Sequence, residues 1–454
     1  MKVKRIVSDS ITMIYVLSLL IYILVSNIRI KYEMYTMLEL STILIYFAGI
    51  GILIYIFNKI LNKAKFDIYD VLIFALILFG IIATNNAVYP EISLYGFEGR
   101  YEGLLQLILY YVLFLNCKNM NNKMFKYIIV AFIIGIGVIQ GVYGILQFFD
   151  IEELMGLEIL RKRYYSTGFE INSNFFGTVM IVGLSLSLVI YFMKKNTWIT
   201  FITLITSTVL FLGLLCSGAM SCAVALVLLL IGIIILLFVL KLDKILILIK
   251  CLMIMICFGA CYKYFDKYDE GYYLSQIGKS TFEIGETLKG DSKPIYGSGR
   301  IHIWKETLKI VPSNVWNGIG IDNFYYAFGK DETLIDINSG LMVDKVHNEY
   351  LQKLITEGIF SFIIYLILLL LLFTKSIIKI FKERKSPNYL VLVVFMSFCA
   401  YCVQAFFNIS VISVAPMFYI IMGIMCSLIG DDLDEKVKCQ GNSRCSIRNL
   451  KKGY

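Results

Sequence analysis

Long apolar runs separated by short polar breaks make up most of this chain. Twelve of the runs approach the roughly 20 residues a helix needs to cross a bilayer. They lie near 11–28, 40–57, 67–83, 104–116, 127–149, 174–193, 198–216, 219–240, 245–262, 352–373, 389–407 and 411–430. The fourth is short and begins near Tyr101. The first follows Lys2, Lys4 and Arg5 and has no small-residue cleavage site after it, so it reads as an uncleaved anchor. One break is unlike the rest: Lys263 to Asn348 is long and polar. Its first part, Lys263 to Lys293, is punctuated by glycine and has no strong period. From Arg300 to Ile310, Ile301, Trp304, Leu308 and Val311 recur at helical spacing. Pro312 and the Asn317-Gly318-Ile319-Gly320 run should end that helix. Asp344 to Gly358 predicts a second helix that leads into the tenth span, with Gly358 allowing close packing. The pattern therefore predicts an all-α polytopic membrane protein. It has about 12 transmembrane helices and one large extracytoplasmic loop between helices 9 and 10. The expected parts are 1–262 (helices 1–9), 263–349 (the loop), 350–430 (helices 10–12) and a basic tail, 431–454.

Orientation follows from charge. One set of breaks carries Lys59, Lys63 and Lys65; Lys118, Lys123 and Lys126; Lys194 and Lys195; Lys241 and Lys244; and Lys375, Lys379, Lys382, Arg384 and Lys385. The alternate set carries acids, among them Glu91, Glu98, Glu102, Asp150, Glu152, Glu153 and Glu158. An excess of Lys and Arg marks the cytoplasmic side. Both termini are then cytoplasmic, and the long loop faces outward. The composition agrees: 59% of residues are hydrophobic and 17% charged, against roughly 25% charged in soluble domains. The net charge of +9 is accounted for by cytoplasmic loops, not by nucleic-acid binding. Cys222, Cys251, Cys257, Cys399, Cys402 and Cys426 fall inside apolar runs, and Cys439 and Cys445 lack zinc-ligand spacing.

The candidate chemistry lies in the outward segments. Three contain arginine: Gly96-Phe97-Glu98-Gly99-Arg100; Arg161-Lys162-Arg163 with Ser166, Thr167, Asn172 and Asn174 following; and Ser298-Gly299-Arg300. A guanidinium is a planar fork that matches phosphate oxygens and keeps its charge. Several on one outer face suit a diphosphate-linked lipid, although each alone also suits a headgroup anchor. Both histidines, His302 and His347, lie in the long loop. An imidazole near its ordinary pKa of about 6.5 accepts a hydroxyl proton at neutrality. His347 is the better placed, with Asn348 and Glu349 available to orient it or bind sugar; the alternative is an inert interfacial histidine. Trp304, Trp316, Tyr325 and Tyr326 offer sugar-stacking faces, and aromatics also gather at membrane interfaces for their own sake. There is no P-loop, no carboxylate or His cluster with divalent-metal spacing, and little charge within the spans beyond Lys250 and Asp70. That scarcity argues against an ion-coupled transporter.

At these residues the chain resembles the O-antigen ligase-like family of bacterial polysaccharide membrane proteins. That family includes O-antigen ligases, O-antigen-type polymerases and pilin O-oligosaccharyltransferases. The resemblance is carried first by Tyr89-Pro90-Glu91-Ile92-Ser93-Leu94-Tyr95-Gly96 with Arg100 and Gly103. Next come Gln140-Gly141-x-Tyr143-Gly144-Ile145-Leu146-Gln147-Phe148 with Arg163, Ser166, Thr167 and Asn174. Arg300-x-x-x-Trp304, Gly318-Ile319-Gly320-x-x-Asn323-Phe324, and His347-Asn348 with Gly358 complete it. Two positions depart from the pattern. Many members carry Ser-Arg at the corner that reads Ser217-Gly218-Ala219 here, and Ser361 stands where Gly, Thr or Tyr is usual.

The resemblance implies a GT-C-like membrane fold in the bacterial cytoplasmic membrane. It also implies metal-independent, cofactor-free glycosyl transfer from an undecaprenyl-diphosphate-linked glycan to an acceptor hydroxyl on a glycan, lipid or protein. His347 would be the base, and Arg300 and Arg163 would hold the diphosphate. Arg100, Asn348, Trp304, Asn174 and Glu349 would bind substrate, with no metal and no nucleic acid. The alternatives are a transporter or flippase of lipid-linked sugars, and a catalytically lapsed scaffold.

Overall fold

The computed structural model describes residues 2–150, 165–240, 242–289, 293–294, 296–328 and 343–441. All regular secondary structure among them is helical. In chain order the helices are α1 (Lys2–Lys31), α2 (Met37–Asn62), α3 (Ile68–Asn85), α4 (Pro90–Tyr95), α5 (Leu104–Lys118), α6 (Lys123–Phe148), α7 (Ser173–Met193), α8 (Thr197–Ser217), α9 (Met220–Val239), α10 (Lys244–Asp269), α11 (Tyr272–Leu288), α12 (Arg300–Asn314), α13 (Phe324–Phe328), α14 (Glu349–Lys382), α15 (Tyr389–Ala405) and α16 (Ala415–Gly441).

Each of the apolar runs became a helix. Among the described residues nine are long and apolar enough to cross a membrane: α1, α2, α3, α6, α7, α8, α9, α10 and α14. Three more apolar helices, Leu104–Lys118, Tyr389–Ala405 and Ala415–Gly430, are shorter. The chain is an all-α polytopic membrane protein. Its centre is α7, 94% of whose apolar window is buried, with α6, α8, α9 and α15 packed around it. At the other extreme is α10, only 11% buried over its window. An apolar helix with that much bare surface has lipid as its solvent.

Several of the charges in the bundle are paired or capping. Asp70 lies 2.8 Å from Lys59 and 2.6 Å from Lys118, and Lys118 is also 2.8 Å from Asp67. This knot joins the end of α2, the start of α3 and the end of α5. Lys250 points its ammonium at the carbonyls of Tyr191 (2.7 Å) and Lys194 (2.6 Å). There it satisfies the open C-terminus of α7, where a cation is favoured.

The long polar segment is more helical than its sequence period suggested. α10 continues past Lys263 to Asp269. Glu270 and Gly271 then turn the chain through left-handed backbone (φ 52° and 76°), and α11 follows at once. Gly278 and Gly285 interrupt the apolar residues of α11, which hid its period. α12 passes through Pro312 before ending at Asn314. The helix expected from Asp344 starts only at Glu349, because Asn348 caps it: its side-chain oxygen accepts from the Tyr350 and Leu351 amides.

Candidate active site

α14 carries a break that ties the long loop to the bundle. At Gly358 the backbone leaves the helix (φ 82°, ψ 174°). The carbonyls freed on that turn are taken up by the loop. Ile319 donates to Ile355 (2.9 Å), Gly320 to Thr356 (3.0 Å), and the Ile359 amide donates back to Val315 (2.7 Å). The approach is backbone on backbone. A Cβ on Gly318 would sit 2.3 Å from the Thr356 carbonyl, and one on Gly358 would sit 2.3 Å from that of Trp316. Only glycine fits either position.

Above this break the chain presents His347. The peptide before it is held from both sides. Trp304 Nε1 donates to the Val346 carbonyl at 3.0 Å, and the Val346 amide donates to Gln352 Oε1 at 2.8 Å. His347 itself takes left-handed backbone (φ 57°). Non-glycine residues adopt this conformation only where the surroundings enforce it. Arg300 and Trp304 are four residues apart on α12 and so share a face. Docking Trp304 on Val346 therefore carries Arg300 toward the imidazole.

A charged layer surrounds His347. Arg100 meets Asp344 with two bonds, Nε–Oδ2 at 2.5 Å and Nη2–Oδ1 at 3.2 Å. Lys345 is fully covered, 2.5 Å from Asp322 and 3.2 Å from Glu102. Asp322 Oδ2 also accepts the amides of Phe97 (2.7 Å) and Glu102 (3.3 Å), and Tyr110 donates to Glu102 at 3.1 Å. Asn323 and Tyr89 exchange hydrogen bonds at 3.1 and 3.3 Å. The α4–α5 loop and the long loop are thus sewn together by buried charge.

Arg300 differs from the other cations. No carboxylate or hydrogen-bonding side chain among the described residues meets its guanidinium. Burial lowers its pKa, and among the described residues the nearby Cys222 opposes it. Burial works against the charge of Arg100 too, but Asp344 overcomes it and holds the pKa above its ordinary value. Lys345 is likewise raised, Asp322 and Glu102 outweighing burial. Asp344 is lowered: burial opposes ionisation, and the bonds from Arg100 prevail. His347 is pushed down to about 4, by burial first and by Arg300 second, with Arg100 and Lys345 adding to it against Asp344. The result is a half-buried neutral imidazole beside a guanidinium that meets no counter-ion among the described residues.

Of the residues singled out in the sequence, Arg100, Arg300 and His347 come together here. Trp304 acts through its indole N–H. Its ring lies against Phe406 and Phe407 (5.6 and 6.3 Å between centroids) and is not an open stacking platform. The Asn348 oxygen is committed to the α14 cap. Glu349 is buried in the bundle, accepting from Tyr365 (3.0 Å) and Tyr401 (3.2 Å). Asn174 is half-buried at the start of α7, one turn from Thr178, which faces Cys222. That places Asn174 on the side of α7 toward Arg300, with no contact joining the two. Arg163, with Arg161 and Lys162, lies outside the described residues.

The departure at Gly218 has a physical reason. Gly218 closes α8 in left-handed backbone (φ 61°), and a Cβ there would sit 2.5 Å from the Tyr165 ring. The Tyr165 segment is fixed in place. Ser166 donates to Cys216 (2.8 Å) and Gly144 (2.6 Å), and the Thr167 and Gly168 amides donate to Gln147 (3.0 and 3.1 Å). An aromatic ring occupies the corner where the resembling family carries a cation.

Residues 205–366 match the family model described as O-Antigen ligase. The match runs from α8 to the upper part of α14 and includes Arg300, Trp304, Gly318, Gly320, His347 and Gly358. No curated protein matches the chain. The O-antigen ligase match coincides with the segment that builds the His347–Arg300 pair, and over those residues this membrane protein is similar to a family of ligase- or polymerase-type glycosyl transfer.

Proposed function

We propose that the protein transfers a glycan from a polyprenyl-diphosphate carrier to an acceptor hydroxyl at the outer face of the bacterial cytoplasmic membrane, without a metal. The observation that carries this reading is the Arg300 guanidinium, which meets no carboxylate among the described residues, beside a neutral His347. The acceptor oxygen attacks the anomeric carbon of the donor. The bond from that carbon to phosphate breaks, and its electron pair leaves with the diphosphate. Arg300 stabilises the charge that develops there, and His347 takes the hydroxyl proton. Arg163 is the second phosphate ligand in this scheme, and Arg100, turned toward Asp344, lines the same face.

An apolar groove between α9, α14 and α15 supports a lipid-borne donor. Ala225, Gly232, Leu236, Phe373, Met396 and Val403 are among its lining residues. Its top, at Ala225 and Val403, lies one turn below Cys222 and Phe406, the neighbours of Arg300 and Trp304. From Ala225 to Val239, α9 descends about 21 Å, enough for several isoprene units. The topology in this reading is cytoplasmic termini with the long loop outside.

The test uses purified protein with a lipid-linked glycan in vesicles containing EDTA. Release of polyprenyl diphosphate should fall about 10²–10³-fold in Arg300→Ala, as for loss of one transition-state donor, and at least as far in His347→Ala. If both variants retain the wild-type rate, or if lipid-linked glycan only changes leaflet, the enzyme reading fails in favour of transport.

A further inference from the structure

We propose that α11 lies in the outer membrane–water interface, its apolar face among lipid headgroups and upper acyl chains, and that it holds the Arg300 turn at that level. The helix divides into three sectors. On a 3.6-residue turn, Leu274, Ile277, Phe282 and Ile284 share an arc of about 160°. They are 54%, 38%, 62% and 57% exposed, an apolar strip left largely open by the described residues. Ser275, Lys279 and Glu286 form an adjoining polar sector. The third sector, with Tyr273 and Glu283, is buried against the protein. An amphipathic helix of this make-up seats its apolar strip at a bilayer surface.

Continuity with α10 identifies the occupant as lipid. The bare apolar surface of α10 ends in two exposed tyrosines, Tyr264 and Tyr268 (49% and 52%), the residue type that gathers at the headgroup level. Only Glu270 and Gly271 separate α10 from α11. α11 thus starts at the depth where the lipid-facing helix leaves the hydrocarbon.

The buried sector links this seat to the site. Glu283 Oε2 accepts the Gly297 amide at 2.9 Å, in the turn whose Gly299 precedes α12 and Arg300. Tyr272 lies 6.0 Å from Tyr165, and Tyr273 lies 5.9 Å from Phe265. The depth of α11 in the interface is passed to Arg300 through Glu283.

The experiment places p-benzoylphenylalanine at Phe282 or Ile277 in the full chain, reconstituted in phosphatidylglycerol–phosphatidylethanolamine vesicles and irradiated. Ile256 on α10 (67% exposed) is the lipid-facing control, and Ser275 the polar-sector control. Lipid adducts at 282 and 277 should approach the yield at 256 and exceed that at 275 at least five-fold. Cross-links at 282 to a second copy or to another protein would overturn the proposal, as would no lipid adduct at 282 while 256 reacts. Phe282→Trp gives an independent reading. Its added emission should be quenched by lipids brominated near the headgroup, and unchanged emission counts against the interfacial seat. Neither readout depends on glycosyl transfer, so each is separate from the proposed reaction.

Discussion

Removing the Arg300 charge should raise the pKa of His347, and the chain is suited to measuring it. The perturbation is Arg300→Gln, which keeps much of the side-chain volume and deletes the cation. In the wild-type protein His347 sits at about 4, against an ordinary 6.5. Burial is the largest cause and survives the substitution. Arg300 is the second cause and does not. A nearby charge moves a pKa by roughly 1–3 units, so His347 should rise by about one unit. It should still titrate below 6.5, because the burial and the Arg100 and Lys345 charges remain. The protein has only two histidines, so ¹⁵N-histidine labelling yields two imidazoles, and His302→Gln assigns them. Inorganic diphosphate bound to the wild-type protein should act in the same direction, since an anion on Arg300 cancels its field. There is a stability counterpart. The depressed folded pKa means that the unfolded chain binds the proton first. Stability from this group is complete above about pH 6.5 and declines as pH falls toward 4, by about 3 kcal/mol at 1.36 kcal/mol per unit. A wild-type His347 that titrates at 6.5 or higher, or one that does not move in Arg300→Gln, would refute the placement of the two groups.

Three further outcomes follow from the site's construction. Trp304→Phe keeps the ring against Phe406 but leaves the Val346 carbonyl without its donor; it should cost about 1–2 kcal/mol in thermal unfolding and lower transfer about ten-fold through a looser His347. Lys345→Met strands Asp322 and Glu102 as buried carboxylates, a loss of about 3–5 kcal/mol that Lys345→Met with Asp322→Asn and Glu102→Gln should largely restore, read as detergent-solubilised melting temperature. Gly218→Arg, which restores the cation usual in resembling proteins, should lower that temperature and not raise activity, because the new Cβ meets the Tyr165 ring; a more active, equally stable variant would contradict this account of the corner.

The bundle was legible because transmembrane helices announce themselves by length and apolarity, and each run came out as a helix. Arg100, Arg300 and His347 were legible as candidates, and the fold brings them together. What joins them was not. Asp322 and Asp344 are single acids in glycine-rich or loop stretches; Arg100 meets Asp344, and Lys345 meets Glu102, across more than 200 residues of chain, beyond the reach of any local period. Asn348 and Glu349 read as substrate ligands from their adjacency to His347. Adjacent residues at a helix start point in different directions, and here one caps the helix while the other enters the bundle. α11 escaped notice because Gly278 and Gly285 diluted its period.

The break at Gly358 makes α14 two rods and not one. The upper rod, Glu349 to Glu357, is laced to Val315–Gly320 and so to the end of α12, while the lower rod belongs to the membrane bundle. His347 at the head of the upper rod and Arg300 at the head of α12 therefore ride on one plate. A tilt of that plate against the bundle would carry both groups together and leave the gap between them unchanged.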